Sequence, residues 1–347
     1  MSSKLYLNVY DYEDDNYPFQ LFTGGRGTGK TYSALSGIVG DRSRNGILMR
    51  RTADELEILA DEKDAESANP FKTINKNNGY NYGLKRINDK VYGIYDRKIE
   101  GDKLIHVGRP VGLCVALSTI AKVRGMDFSN YTDLIYDEFI PEMHVKRMRG
   151  ESDAFLNAYE TINRNRELEG LPPLKAWLLS NSNDIYNPIF VGLGIVSDVE
   201  RMARRGQEHL YIKERGLAVH LLKNTEEFQK AKEKTAIAKL TRGSTFYDMA
   251  YNNSFAYNDF TNVGFRKLVG YFPVCAIDKA YIYQKKGARE IYVSYAPCKI
   301  EKFSSTNNAD RIRLRREYGI WLQPYYINGN MYFESYELKE IVLTAIM

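Results

Sequence analysis

Residues 24–31 read GGRGTGKT, at the junction of an apolar run, FQLFTG, and a helix-prone run, TYSALSGIVG. The pattern G-x-x-x-x-G-K-[ST] in that setting leaves the chain little freedom. It must leave a buried strand, curl through a glycine turn and enter a helix whose first N–H groups point into the turn. At an average glycine usage of about 7%, the pattern arises by chance in about one chain in a hundred of this length. Such a loop is a phosphate cradle. The backbone of Gly24, Gly25, Arg26, Gly27, Thr28 and Gly29 wraps phosphate oxygens, Lys30 reaches the β- and γ-phosphates, and Thr31 offers a hydroxyl to Mg²⁺. ATP and Mg²⁺ are therefore the implied ligands. A glycine turn that binds nothing is the alternative, and the flanking strand and helix argue against it.

The run DLIYDEF, residues 133–139, reads as the second half of that site. Leu134, Ile135 and Tyr136 bury a strand; Asp137 at its C-terminal end can hold Mg²⁺ through water, and Glu138 can polarise the attacking water as general base. An isolated Asp-Glu pair is as readily an exposed strand end, but a phosphate loop upstream favours the catalytic reading. KAWLLSN, residues 175–181, ends in Ser180 and Asn181. Asn181 is either a sensor of the γ-phosphate or an ordinary turn residue. NRNR, residues 163–166, closes a helical stretch. Its arginines suit a finger reaching a neighbouring subunit's nucleotide, or simply the C-terminal end of a helix.

At 347 residues the chain exceeds the size at which one core usually stops growing, so two domains are expected. The first 200 or so residues alternate strand-like and helix-like runs, the pattern of an α/β domain with a mostly parallel sheet. We expect this domain over residues 1–205, a lid or linker over 206–243, and a smaller α/β domain over 244–347. Within the first, GILMRR and VGLCVALS read as strands, and TADELEILADEKD as a helix capped by Thr52 or Asp54. Residues 69–108 read as inserted β-hairpins, and 152–170 as a helix capped by Ser152. In the last domain FRKLVGYFPVCAI, KAYIYQKKG, REIYVSYAP and QPYYINGNMYFESYE read as strands, the last with an Asn-Gly turn, before a final helix.

Cys114, Cys275 and Cys298 are odd in number and widely spaced, with only four histidines, so neither a disulfide framework nor a zinc site is indicated. All three read as buried small hydrophobes. No stretch approaches the apolar run of a membrane span, and the first residues lack a signal-peptide core, which makes the protein cytosolic by default, with no membrane partner. A net charge of +5 is weaker than the signature of a sequence-reading DNA-binding domain, so local basic patches matter more than the total.

Taken together, GGRGTGKT with its internal arginine, MRRT closing the second strand, IYDEF, INRNRE and LLSNSNDIYNPIF resemble the DNA-packaging ATPases of small protein-primed tailed phages. These are a divergent branch of the large-terminase ATPases, and the resemblance runs in order and spacing over residues 20–190. It implies a P-loop ASCE-type ATPase domain followed by a smaller domain of RNase H-like fold. It also implies a homomeric, pentameric ring in the host cytoplasm, transiently at the portal vertex of a procapsid, that hydrolyses ATP to pump double-stranded DNA through the portal. A structured packaging RNA serves some relatives. By position, Glu138 falls on the catalytic glutamate, Arg164 on the arginine finger and Arg26 on an arginine typical of terminase loops. Lys122 and Arg124 lie where the family supplies a second trans-acting basic residue. Lys146, Arg147 and Arg149 of HVKRMRG are then candidates for gripping DNA, and Arg311, Arg313, Arg315 and Arg316 of RIRLRREYG for contact with DNA or packaging-RNA phosphates, against the alternative of a solvated basic face or portal contact. Two-metal nuclease chemistry needs converging carboxylates. Asp259, Asp278, Glu290, Glu301 and Asp310 make no such cluster in sequence, so the expectation is a nuclease-like domain without nuclease activity. A terminase that also cuts DNA, and a protein that keeps ATP only as a structural clip, are the competing readings.

Overall fold

Continuous apolar runs mark strands covered on both faces. Six of them form the parallel centre of a nine-stranded sheet. The computed structural model describes residues 6–59, 68–101, 103–123, 125–142, 145, 148, 150–181, 184–244, 247 and 258–347. It divides into two units, Met1–Leu193 with Met202–Ala256, and Gly194–Arg201 with Tyr257–Met347.

In the larger unit β1 (Phe19–Gly24) runs into the glycine loop and α1 (Lys30–Gly40), and β2 (Gly46–Arg50) into α2 (Ala53–Leu59). Thr52 caps α2, its hydroxyl accepting from the Glu55 amide at 3.3 Å. A short α3 (Lys72–Asn78) precedes β3 (Tyr82–Asn88), β4 (Val91–Glu100) and β5 (Lys103–Ala116). These are the expected hairpins, but they extend the main sheet: β5 pairs antiparallel with β4 and, through its second half, parallel with β2. The helix α3 was not expected, because KTINKNN carries a single buried apolar residue, Ile74, and so shows no period. Then follow β6 (Asp133–Asp137), α4 (Glu151–Asn163), β7 (Lys175–Asn181), α5 (Pro188–Gly192), α6 (Val196–Arg205, of which residues 196–201 belong to the smaller unit), β8 (His209–Ile212), β9 (Leu217–Leu222), α7 (Glu226–Glu233) and α8 (Ala236–Thr241). The strand order is β3-β4-β5-β2-β6-β7-β1-β9-β8.

Two expectations are corrected here. Residues 209–222 fall in the segment read as lid or linker, yet β9 is a fully buried strand lying parallel to β1. Its charged flanks, KERG and KNTEE, and the histidine inside LAVHLL disguised it. That histidine, His220, is buried and hydrogen-bonded between Gln20 (2.8 Å) and His209 (2.9 Å). The helix α4 starts one residue before Ser152, behind Gly150 at φ 64°, without a side-chain cap.

The two faces of the sheet follow the strand period. Phe22, Leu48, Ile135, Trp177 and Leu179 face α1 and pack with Ala34, Leu35 and Ile38. On the opposite face Tyr136 stacks on Phe155 of α4 with ring centroids 5.5 Å apart, and Phe139 meets Phe190 of α5 at 5.7 Å. Full burial of one such side chain contributes about 1.5–3 kcal/mol. A charged contact lies inside this apolar layer. Arg51, just past β2, bonds Glu151 through Nε at 2.8 Å and Nη2 at 3.0 Å, and the Tyr136 hydroxyl donates to the same carboxylate at 2.8 Å. Both charged side chains are buried, which fixes the first residue of α4 onto β2 and β6.

The smaller unit holds a five-stranded sheet, β13-β10-β11-β12-β14. Here three of the runs read as strands, β10 (Tyr271–Ile277), β11 (Ala280–Lys285) and β12 (Ile291–Ser294), form an antiparallel meander. β13 (Lys302–Phe303) lies parallel to β10, and β14 (Met331–Phe333) parallel to β12. The basic run RIRLRREYG lies on α9 (Asn308–Leu314) and a π-helical turn, Arg315–Gly319, that continues into α10 (Ile320–Ile327). The expected strand QPYYINGNMYFESYE therefore splits. Its first part belongs to α10, Gly329 turns the chain at φ 72°, and only Met331–Phe333 pairs. The Asn-Gly signal marks a turn from helix to strand, not a hairpin. The chain closes on α11 (Tyr336–Ile346), capped by Ser335. Cys114 and Cys275 are buried as expected, whereas Cys298 is only half-buried.

Replacing Glu151 by alanine strands the Arg51 guanidinium in the core. We expect a loss of about 3–5 kcal/mol in chemical denaturation, against less than about 0.5 kcal/mol for Glu169→Ala on an exposed turn.

Candidate functional site

β6, β7 and β1 are neighbours and parallel, so their C-terminal ends meet at one edge of the sheet, where ligands of such folds gather. The register sets Gly24 beside Asn181, and Asp137 beside Leu179. Out of β1 the glycine loop bends through Gly27 at φ 76° and Gly29 at φ 99°, conformations that favour glycine. Lys30 begins α1 with its side chain turned back into the loop. Its buried Nζ donates to the carbonyls of Gly24 (3.2 Å) and Gly25 (2.9 Å) and to the Thr28 hydroxyl (3.2 Å). Burial lowers its pKa to about 8, against the pull of Asp137, and the charge of Lys232 adds to the fall.

Thr31 and Asp137, one from each motif, touch directly: Thr31 Oγ1 donates to Asp137 Oδ1 at 2.8 Å. Burial raises the Asp137 carboxyl above its usual range, with Arg50 opposing. Arg50, the last residue of β2, bridges the acid pair, donating from Nη1 to Asp137 at 2.8 Å and from Nη2 to Glu138 at 2.6 Å. Burial works against the Arg50 charge, yet the neighbouring carboxylates hold its pKa above the ordinary value. Glu138 sits at φ 57°, an uncommon conformation for a residue with a Cβ, and its side chain is 56% exposed, open to a reactant. Backbone strain of this kind collects at functional sites.

A cavity of about 1080 Å³ joins these parts; it is lined by the loop from Arg26 to Thr31, by Asp137, Glu138, Ser180 and Asn181, and also by Tyr6, Asn8, Tyr32 and Asn77. That volume accommodates a nucleotide. The donor set offered to a metal is hard oxygen, a threonine hydroxyl and a carboxylate, which suits Mg²⁺ held by few protein ligands and by substrate phosphates. Among the described residues no group of three or more His, Cys, Asp or Glu could hold a metal alone.

The sequence did not single out several of these residues. Arg50 carries no role of its own in the sequence, where it stands inside GILMRR and MRRT, since nothing there says that β2 lies beside β6. Arg26 was foreseen, but not its ties: its guanidinium pairs with Glu142, and its carbonyl accepts from Lys232 of α7. Tyr6 and Asn8 belong to a segment whose Leu7 amide bonds the Thr28 carbonyl at 2.9 Å.

Other candidates lie elsewhere. Arg164 caps α4 at φ 49°; it is exposed, is absent from the cavity lining, and donates to the Met126 carbonyl and to that of Thr161 at 3.3 Å. Lys122 lines a shallow depression together with Met126, the residue whose carbonyl Arg164 bonds. Arg166 is buried and bonds the carbonyls of Pro172, Ser129 and Tyr131 at 2.9–3.0 Å, a structural clamp. Arg124, Lys146, Arg147 and Arg149 lie outside the described residues. In the smaller unit Arg313 pairs with Glu301 at 3.1 Å and lies over Phe303, and Arg315 bonds the Ala345 carbonyl at 3.0 Å. Arg316 is exposed beside Glu317, and Arg311 is half-buried.

Residues 1–280 match the profile of the family described as Podovirus DNA encapsidation protein (Gp16). A DNA packaging protein of Bacillus phage B103 is 27% identical over 162 residues, 46% of this chain and 46% of its own. That of Bacillus phage phi29 is 24% identical over 158 residues, 45% of this chain and 43% of its own. The alignment thus spans less than half the length of these relatives. Among solved structures, a chain of the bacteriophage Phi-29 viral genome packaging motor assembly is 18% identical, with a TM-score of 0.63 over 99% of this chain and 100% of that one. A chain of the Phi-28 gp11 DNA packaging motor is 20% identical, with a TM-score of 0.59 over 99% of this chain and 98% of that one. These likenesses establish a shared fold.

The buried Lys30 yields a pH dependence. An anionic ligand raises its pKa from about 8, so binding of a nucleoside triphosphate takes up a proton above that pH and weakens as pH rises through it. Calorimetry at pH 9 in buffers of different ionisation enthalpy should register uptake approaching one proton, and close to none at pH 7. For folding the sign is opposite: between about 8 and 10.5 the unfolded chain holds more of this proton, so this group makes stability rise with pH there.

Proposed function

The chain belongs to the podovirus DNA encapsidation protein (Gp16) family, and from that premise we propose that it is a genome-packaging motor ATPase. In this reading it hydrolyses ATP in a homomeric ring, pentameric as in the resemblance drawn from sequence, and drives double-stranded DNA into a procapsid through the portal, with a packaging RNA as a further partner. The observation that carries the reading is the convergence of the two motifs on one cavity, with Thr31 bonded to Asp137 at 2.8 Å and Glu138 adjoining. No helix among the described residues is long and apolar enough to cross a membrane; the reading puts the protein in the host cytoplasm and, during packaging, at the portal vertex.

The chemistry follows from the residues. The loop amides and Lys30 bind the triphosphate, which draws the lysine away from the Gly24 and Gly25 carbonyls. Thr31 and Asp137 would hold Mg²⁺, which when bound neutralises charge on the β- and γ-phosphate oxygens. Glu138 accepts a proton from the attacking water; Arg50 engages one of its two carboxylate oxygens, Oε2. Asn181, at the end of the strand between the two motif strands, orients the water or senses the γ-phosphate. Arg164 and Lys122, both exposed and away from their own subunit's cavity, suit action on a neighbour.

For the smaller unit we propose a nuclease-like domain that does not cut. Its five candidate carboxylates are each engaged separately: Asp259 by Lys339, Glu290 by Arg266 and Tyr271, Glu301 by Arg313, and Asp278 and Asp310 by the amides of Ser305 and Ser304.

Glu138→Gln should retain ATP binding and lose turnover by about 10²–10⁴-fold in a steady-state phosphate-release assay. Turnover that survives the substitution sinks the catalytic assignment. Arg164→Ala subunits should bind ATP and not hydrolyse it, and mixing them with Lys30→Ala subunits should restore activity, because a mixed interface pairs an intact loop with an intact finger. If no mixing ratio rescues turnover, action across the interface is wrong.

A further inference from the structure

Helix α7 lies in the segment expected to be a lid or linker, and one of its lysines reaches the phosphate loop. Lys232 donates from Nζ to the carbonyl of Arg26, inside the loop. A Cβ built on Gly27 would stand 3.3 Å from the same Nζ, so the ammonium sits against the loop's backbone. Its stem passes over Phe228, with the ammonium 5.0 Å from the ring centroid. Phe228 in turn meets Tyr6 edge-on at 6.1 Å. The helix carrying both residues is capped at its start, where Thr225 accepts from the Phe228 amide at 3.2 Å. A capped helix thus brings a cation to a carbonyl of the loop.

The consequence depends on how a phosphate loop is wired. Its amides serve the anion, which leaves the carbonyls on the loop's reverse side to find donors elsewhere. The carbonyls of Gly24 and Gly25 are served by Lys30, and that lysine has to abandon them to reach a triphosphate. The Arg26 carbonyl is served by Lys232, which does not line the cavity and need not leave. We infer that Lys232 is a positioning residue: it holds the outer curve of the phosphate loop in place while Lys30 transfers to the nucleotide, and ties α7 to the loop's nucleotide state. The two ammonium groups also repel each other, and a bound triphosphate relieves that repulsion.

This inference rests on the ATPase reading, and three variants of the full chain test it: Lys232→Met, which keeps the apolar stem over Phe228 and removes the donor; Lys232→Arg, which keeps a donor; and Lys232→Ala, which removes both. Each is titrated with a fluorescent ATP analogue and assayed for ATP turnover in the assembled ring, with the unfolding midpoint measured alongside. The expected result is a kcat lower by about tenfold in Lys232→Met. Nucleotide affinity should change less than twofold, the unfolding midpoint should hold, and Lys232→Arg should recover most of the rate. A Lys232→Met chain with the parent's kcat overturns the inference while leaving the ATPase reading intact. Equal loss in Lys232→Met and Lys232→Arg also overturns it, because packing rather than the donated hydrogen bond would then be at work. A parent chain that neither binds nor hydrolyses ATP overturns both readings together.

Discussion

Everything at the site depends on the parallel pairing of β6, β7 and β1. Three strands hydrogen-bonded in that order must end at the same edge, and the register then decides which residues share it: Gly24 opposite Asn181, and Asp137 opposite Leu179. Shifting any one strand by a single residue would turn its side chains to the opposite face. The burial of Ile135 against α1 and of Tyr136 against α4 forbids such a slip, because each has an apolar layer only on its own side. The apolar core is thus what aligns the phosphate loop with its acid pair.

Around that edge, charges are balanced internally. Lys30 rests on carbonyl oxygens of its own loop, Arg50 spans both carboxylates, and Arg26 is matched by Glu142. Each of these contacts uses a group that a triphosphate or its metal would otherwise engage or adjoin. In the proposed reading, binding is an exchange of partners, with Lys30 passing from carbonyl oxygens to phosphate, not the filling of a bare cationic pocket. For Lys30, Arg50 and Asp137, which are already largely out of water, such an exchange is cheap in desolvation, and it moves side chains on several elements at once.

The phosphate loop was legible because its glycines, lysine and threonine must be contiguous to do their work, and the acid pair because a buried strand ends on it. Most parallel strands were legible as apolar runs. What escaped notice had a physical reason in each case. β9 was hidden by a histidine that survives in the core only through hydrogen bonds to Gln20 and His209, partners remote in sequence or on another strand. Arg50 and Lys232 were invisible as site residues because their meaning comes from adjacency, β2 beside β6 and α7 beside the loop, and no local spacing encodes adjacency. The helices carrying RIRLRREYG and QPYYI lacked a clear period, and an Asn-Gly pair pointed to a hairpin that is absent.

The helix α4 has its first residue, Glu151, locked in the core by Arg51 and Tyr136, and Arg164 at its other end on the surface. Thirteen residues of helix make a rod of about 20 Å. Tyr136 directly precedes Asp137, and Arg51 directly follows Arg50, so the buried end of that rod adjoins the first acid of the pair and the arginine that bridges it. A tilt of only about 3° at the buried end would swing the far end by about 1 Å, a displacement large enough to change the effectiveness of a reacting group by orders of magnitude. In the proposed reading, a small event at one phosphate site would reach the aim of an arginine at another through a helix that Tyr159 and Asn163 also hold against the chain around Leu174.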